Sequence, residues 1–241
     1  MLVFYTFCAW WNRLFSGCVV SNDEAELLWL KSSFRRGKTD RIERFLECGG
    51  NPNLGIDNGY PLLVQVVEYH NTHAVELLLK NKDILITERS GDFNALCTAA
   101  FNGYPDITKL ILAQGIEVDS VWMHSTTALH EACMMRCGHP CPAWDITDEV
   151  FSPAEVNRFI ECASILIEAG ADVNAVCHDW PGPVCGFTPL HFACEAGCLP
   201  MAKLLVKHGA DTRLKDEDGR TPLDLAIELN KSDIRDYLEA L

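Results

Sequence analysis

The sequence predicts an all-α repeat solenoid, because one pattern of leucines and turn residues recurs at a fixed interval. Four of the five intervals between the aligned leucines are 33 residues and one is 61: Leu30, Leu63, Leu96, Leu129, Leu190 and Leu223. Each unit has the pattern of two short helices, and in the fifth unit the first opens at Thr188-Pro189 and ends near Gly197. Such a helix pair cannot bury its apolar face alone, so neighbouring units must stack.

The repeat divides the chain into a short apolar segment and one elongated domain. Residues 1–23 form the hydrophobic N-terminal segment, and residues 24–241 form the repeat domain. The core of such a domain grows repeat by repeat. The predicted repeats lie near 24–56, 57–89, 90–122, 123–180 (with an insert at 134–155), 181–215 and 216–241.

Residues 1–20 are more aromatic than the rest of the chain, and two roles remain open for them. In one, the aromatic side chains cap the open face of the first repeat. In the other, the segment targets or anchors the chain as in a membrane-tethered adaptor, with Cys8 and Cys18 as acylation sites. The ten apolar residues before Asn12 are too few to span a bilayer.

Repeats one to three keep the interval without insertions. Repeat one pairs a helix near residues 24–36 with another near 40–46, closed by Gly49-Gly50. In repeat three, Gly103 ends the first helix and Gly115 the second, because glycine adopts the positive φ of a helix stop at little cost.

Repeat four is irregular, since 22 extra residues separate its two helices. Residues 135–148 contain glycine and prolines and are predicted to form a loop. Ser152-Pro153-Ala154-Glu155 then predicts a capping box with proline at the first helical position. The second helix of this repeat should therefore be longer than the others and project beyond the stack.

The net charge of −14 is unevenly distributed. Residues 1–50 hold seven Lys and Arg against six Asp and Glu, a balance of +1, so the rest carries −15. An acidic body of this kind argues against binding nucleic acid or an anionic membrane surface. The last charged residues predict a polar closing cap: Asp233, Arg235, Asp236 and Glu239.

Several of the twelve cysteines occupy positions that face the predicted core. A small apolar side chain packs well there, and a disulfide framework is typical of small secreted domains without a repeat-built core. We therefore expect reduced thiols and a cytoplasmic or nuclear protein. These core positions are Cys97, Cys133, Cys162 and Cys194.

A cluster in the repeat-four insert could ligate zinc, because Cys133, Cys137, His139 and Cys141 bring sulfur and imidazole groups within nine residues. The spacing does not match the usual two-knuckle arrangement. We therefore expect an ordinary loop, with no metal and no cofactor. A metal- or redox-responsive regulator remains an alternative function.

The repeat resembles the ankyrin-repeat family in its letters as well as its interval. One repeat holds Thr188-Pro189-Leu190-His191-Phe192-Ala193, and another holds Leu129-His130-Glu131-Ala132. The resemblance implies that His130 and His191 bond to neighbouring turn backbone. The run from Leu129 to Cys133 is also similar to substrate-recognition ankyrin adaptors of ubiquitin ligases, although we expect no ligase-recruiting box after repeat six.

The resemblance implies a non-catalytic, monomeric scaffold or adaptor that binds a protein on its concave surface in repeats two to five. No nucleophile elbow, phosphate loop or metalloprotease helix occurs in the sequence, so we expect no enzyme. The family's contact positions, at the hairpin tips and the last turn of the first helix, correspond to Tyr60, Tyr69, Phe93, Phe101, Asn102, Trp122, Met134, Phe187, Glu195, Asp216 and Glu217.

Four aromatic residues in that set are the expected anchors: Tyr69, Phe93, Phe101 and Trp122. Aromatic anchors within a polar rim are typical of protein interfaces, and the acidic rim favours a partner with apolar residues and some Lys or Arg. The alternative is that several of these rings pack against the next repeat, because aromatic burial is itself strongly favourable.

Asn174 is a candidate modification site. Leu166 lies eight residues before it and Val173 directly before it, which resembles the pattern on which ankyrin-repeat asparagines are hydroxylated by an oxygen-sensing dioxygenase. Alternatively, Asn174 serves the turn, as asparagine commonly does.

Overall fold

The computed structural model describes residues 39–56, 60–86, 94–121, 125–135, 152–178 and 185–241. The chain divides into two compact units, Met1–Leu85 and Ile86–Leu241. The predicted first helix of repeat one and the N-terminal cap or anchor lie outside the described residues.

The described part of the first unit contains repeat two and the end of repeat one. Helix α1 (Asp40–Glu47) is the second helix of repeat one, and α2 (Leu62–Glu68) and α3 (Thr72–Leu79) form repeat two. Before α2, a short antiparallel hairpin pairs β1 (Gly55–Ile56) with β2 (Tyr60–Pro61).

The described part of the second unit contains four helix pairs. Its first helices are α4 (Ala95–Phe101), α6 (Ala128–Met134), α8 (Pro189–Ala196) and α10 (Pro222–Glu228). Its second helices are α5 (Pro105–Leu112), α7 (Pro153–Glu168), α9 (Leu199–Lys207) and α11 (Ser232–Glu239). First helices pack on first helices, and second helices on second helices, in chain order. This two-layered stack confirms the predicted all-α repeat solenoid.

The core of the second unit depends on small residues between neighbouring first helices. The fifth residue after each N-cap is alanine, and all four are fully buried: Ala99, Ala132, Ala193 and Ala226. Because interiors are close-packed, a methyl group at this position lets successive helices approach closely.

The turn between the two helices of a repeat has a residue with positive φ nine positions after the N-cap. This residue is Gly103 (φ +65°), Gly197 (+72°) or Asn230 (+55°). In each case the next amide donates to the carbonyl five residues before it, at 2.8–3.0 Å, which closes the helix end. In repeat four, Met135 (+49°) takes this conformation one position earlier, where the insert begins.

Helix α7 has 16 residues, against 8 in α5 and 9 in α9, as the capping box predicted. The Ser152 hydroxyl accepts the Glu155 amide at 3.4 Å, and the Glu155 carboxylate accepts the Ser152 amide at 2.8 Å. Phe159 anchors the added turns: its side chain is 2% exposed and lies against Gly103, where a Cβ would meet the ring at 3.1 Å.

Candidate protein-interaction surface

The two motif histidines connect each repeat to the next. His130 Nδ1 accepts the Thr127 amide at 3.1 Å, so Nε2 carries the proton and donates to the Ala175 carbonyl at 3.0 Å. His191 repeats the arrangement, with Nε2 3.1 Å from the Arg220 carbonyl. Burial lowers the pKa of His130 to about 4, which keeps the ring neutral. The predicted bonding to turn backbone is confirmed, and it leaves neither imidazole nitrogen for a ligand.

A carboxyl group lies inside the stack beside this histidine. The side chain of Glu131 is 3% exposed, and its Oε1 is 2.6 Å from the Thr126 hydroxyl. Burial raises the pKa of Glu131 to about 8. Aligning the repeats indicates that this position is buried, because it holds Phe192 in α8 and Leu225 in α10, both core residues.

The Asn174 side chain connects the turn after α7 to the turn after α9. Its side-chain oxygen accepts the Asp211 amide at 2.8 Å, and its side-chain nitrogen donates to the Gly209 carbonyl at 3.2 Å. Asp119 holds the equivalent place one repeat earlier and accepts the Asp172 amide at 3.1 Å. These bonds support the turn role proposed for Asn174, whose hydroxylation stays a prediction.

Three of the expected contact residues lie on the last turns of first helices in the second unit. Phe101 and Asn102 at the end of α4 and Glu195 at the end of α8 are all half-buried. The Asn102 side-chain nitrogen donates to the Thr98 carbonyl at 2.8 Å, which fixes the amide at the helix end. Each retains surface that a partner could contact.

Three other expected contact residues are buried, which corrects the sequence-based set. Met134 is 5% exposed and Phe187 is 1% exposed. Phe187 packs edge-on against Phe192 at 5.2 Å between ring centroids, and the Arg220 guanidinium lies 5.9 Å from its ring. Asp216 is 6% exposed and pairs with the same guanidinium at 2.8 Å. Phe187 and Asp216 therefore pack around Arg220 of the hairpin before α10, and all three buried side chains leave little surface for a partner.

Of the remaining expected contact residues, three are described by the structure and two are not. Tyr60 and Tyr69, in the first unit, are half-buried, and Glu217 is exposed. Phe93 and Trp122 lie outside the described residues. Whether these side chains contact a partner stays a prediction.

The cysteine cluster of repeat four is only partly within the described residues. Cys133 is fully buried, burial raises its thiol pKa well above the usual value, and it lies close to Cys198 of the next repeat. Cys137, His139 and Cys141 lie outside the described residues. Among the residues that are described, no group of His, Cys, Asp or Glu is arranged to hold a metal ion.

The other cysteines predicted to face the core also pack in the interior. The four predicted core cysteines are buried thiols, as expected. Cys48, in the first unit, is disulfide-bonded, so the expectation of reduced thiols does not hold for this residue.

One exposed apolar side chain, on the last first helix of the second unit, was not predicted from the sequence. Ile227 on α10 is 49% exposed, although a polar closing cap was predicted. The charges on α11 follow the prediction, since Asp233, Asp236 and Glu239 are exposed. Comparing equivalent positions of successive first helices would have singled out this isoleucine.

Over the described ranges, each helix is too short or too polar to traverse a bilayer.

Comparison with known proteins identifies the repeat. A sequence model described as ankyrin repeats (3 copies) matches residues 30–121 and 154–239, and one described as ankyrin repeat matches residues 124–178. The chain is 30% identical over 200 residues to human ankyrin repeat and SOCS box protein 16, covering 83% of this chain and 40% of that protein.

Two further relatives show the range of proteins that share these repeats. Zebrafish ankyrin repeat and SOCS box protein 11 is 31% identical over 133 residues, which covers 54% of this chain and 34% of that protein. Mouse protein phosphatase 1 regulatory subunit 27 is 27% identical over 119 residues, covering 49% and 59% respectively. The chain thus spans less than half the length of the two SOCS box proteins. Because the two sequence models together match most of its residues, the chain belongs to the ankyrin-repeat family, whose repeats are protein-interaction modules.

Proposed function

We propose that the chain is a non-catalytic scaffold that binds a protein partner on the last turns of α4 and α8 and the adjoining hairpins of the second unit. The observation that carries this proposal is that each first helix has buried core positions followed by half-buried positions at its end. Positions two, five and six after the N-cap are at most 1% exposed in α4 and α8, because they form the stack. Phe101, Asn102 and Glu195, which follow them, are half-buried, so side chains there can vary without disturbing the core.

The charges nearby favour a partner with Lys or Arg beside its apolar anchors. Glu195 is acidic, and the hairpin before α10 carries two further exposed acids, Glu217 and Asp218. Arg220 does not reverse this charge, because its guanidinium pairs with Asp216 at 2.8 Å and with Asp218 at 3.1 Å. Opposite charge on a partner would speed association and orient it.

The relatives support a regulatory or adaptor role without identifying the partner. One is named a regulatory subunit, and two are named SOCS box proteins. A mouse 2-5A-dependent ribonuclease is also similar, at 43% identity over 61 residues, so these repeats also occur in the chain of a named enzyme. We propose a cytoplasmic or nuclear monomer without nucleic-acid binding, supported by the acidic charge and by the thiols of the buried cysteines.

The test is a quantitative pull-down from cell extract with matched surface variants. The Phe101→Ser, Glu195→Lys double variant is compared with the native chain and with Glu168→Lys, which makes the same charge change on the exposed end of α7. We expect a specific protein to be lost with the double variant and retained with Glu168→Lys. Equal recovery of all proteins by the three chains, each with native helical circular dichroism, would refute the proposal.

A further inference from the structure

The chain has three places where serine or threonine is followed directly by proline, and the structure exposes both residues at only one of them. Thr188 is 1% exposed and Thr221 is half-buried, because both begin first helices within the stack. The prolines that follow them are buried. Ser152 and Pro153, at the start of the long helix α7, are both exposed. An enzyme that recognises this dipeptide therefore reaches it in the folded chain only at Ser152.

The hydrogen bonds that hold Ser152 are local and exposed. Its φ of −64° and ψ of 153° are those of extended, polyproline-like backbone. Its hydroxyl lies 2.7 Å from the Glu155 carboxylate. Among the described residues, Ser152 bonds only to Glu155 and Val156, both in the first turns of α7. Because losing such a cap costs only about 1 kcal/mol, the hydroxyl can leave it without disturbing the stack.

The surroundings of the Ser152 hydroxyl suit a phosphoryl group. The amides and the dipole at the N-terminus of a helix favour anions, and α7 has 16 residues. Arg158 brings a cation to the same place, because its guanidinium lies 3.8 Å from the Glu155 carboxylate and its side chain is 45% exposed. Hydrogen bonds from Ser152 lower the pKa of Glu155, so this carboxylate is ionised and a phosphoryl group on Ser152 would repel it from the cap.

We propose that Ser152 accepts a phosphoryl group from a proline-directed protein kinase. The Ser152 Oγ attacks the terminal phosphorus of ATP, and an O–P bond forms as the bond from that phosphorus to the bridging oxygen breaks. ADP leaves, and the hydroxyl proton passes to a carboxylate base of the kinase. The product carries a charge of about −1.5 to −2 at neutral pH and replaces Glu155 as the cap of α7. This modification does not involve the last turns of α4 and α8.

The test is incubation of the full chain with a purified proline-directed kinase and radiolabelled ATP, followed by mapping of the phosphate by mass spectrometry. We expect the label at Ser152. Ser152→Asn keeps a capping side chain but has no hydroxyl, so it should lower incorporation at least about tenfold without loss of helical circular dichroism. Pro153→Ala keeps the hydroxyl and should lower incorporation at least about fivefold, since alanine is tolerated in the first helical turn. Ser232→Ala removes an exposed serine that no proline follows, and it should leave incorporation unchanged.

Short peptides that contain each dipeptide separate the effect of sequence from that of burial. The kinase should label Thr188 and Thr221 faster in such peptides than in the folded chain, because the stack protects both residues. Equal labelling of Thr188 and Ser152 in the folded chain, or incorporation that persists in Ser152→Asn, would overturn the proposal. A Ser152 peptide that is labelled while the folded chain is not would also overturn it, because α7 would then exclude the kinase.

Discussion

Glu131 should make the stability of the chain fall as pH rises through neutrality. Its carboxyl group is buried beside Thr126, and burial raises its pKa from 4.5 to about 8. In the unfolded chain the same group ionises near pH 4.5. Between these values the folded state holds one more proton than the unfolded state, so the free energy of unfolding decreases by up to about 1.4 kcal/mol per pH unit.

The neighbouring histidine has the opposite effect at lower pH. Burial lowers the pKa of His130 from 6.5 to about 4, so the unfolded state binds the extra proton between these values. His130 therefore makes stability rise with pH up to 6.5, which offsets the contribution of Glu131 there. Above pH 6.5 His130 no longer offsets the contribution of Glu131 to the pH dependence of stability. The expected loss between pH 6.5 and 8 is on the order of 2 kcal/mol.

The assay is urea-induced unfolding at pH 6.5 and pH 8.0 for the native chain, Glu131→Gln and Glu161→Gln. Glutamine keeps the shape and a bonding partner for Thr126 but cannot ionise, so Glu131→Gln should lose the decline. Glu161→Gln removes an exposed carboxylate from α7 and should keep it. If the free energy of unfolding falls equally in the native chain and in Glu131→Gln between the two pH values, the reasoning is refuted.

Four further substitutions test the local geometry by the same urea assay. Asp119→Asn should stabilise by about 1 kcal/mol, because the amide adds a donor and removes a carboxylate whose pKa is raised by burial; unchanged or lower stability would contradict this. Gly186→Ala should cost more than about 2 kcal/mol, because φ is +82° and a Cβ would lie 2.7 Å from the Glu217 amide nitrogen. Gly170→Ala, also at positive φ but in open space, should cost only about 1 kcal/mol, and equal costs would rule out the steric argument. Ser152→Ala should cost about 1 kcal/mol through loss of the N-cap bond, and no cost would show that the cap is dispensable.

Features with a local cause could be predicted from the sequence. The capping box at Ser152 and the turn at Gly197 each depend on residues within one helical turn, and both are present as expected. The histidine bonds could also be anticipated, because the resemblance to ankyrin repeats implies that each imidazole bonds to neighbouring turn backbone. Their acceptors, Ala175 and Arg220, lie 45 and 29 residues further along the chain.

The contact surface could be predicted only in part. Met134 and Glu195 hold the same place on their helices, seven residues after the N-cap, yet the methionine is 5% exposed and the glutamate is half-buried. Phe187 occupies a hairpin position typical of contacts but packs between Phe192 and Arg220. Position within a repeat therefore does not decide exposure, because residues of the neighbouring repeats cover some of these side chains.

The sequence by itself determined the fold, the repeat interval and the helix ends of this protein, because each follows from a periodic pattern or from contacts within a few residues. Only the tertiary structure decided that Glu131 is buried with a raised pKa and that Ile227 is exposed. The physical reason is that burial, and the cost of charge that comes with it, depend on side chains contributed by adjacent repeats far away in the chain.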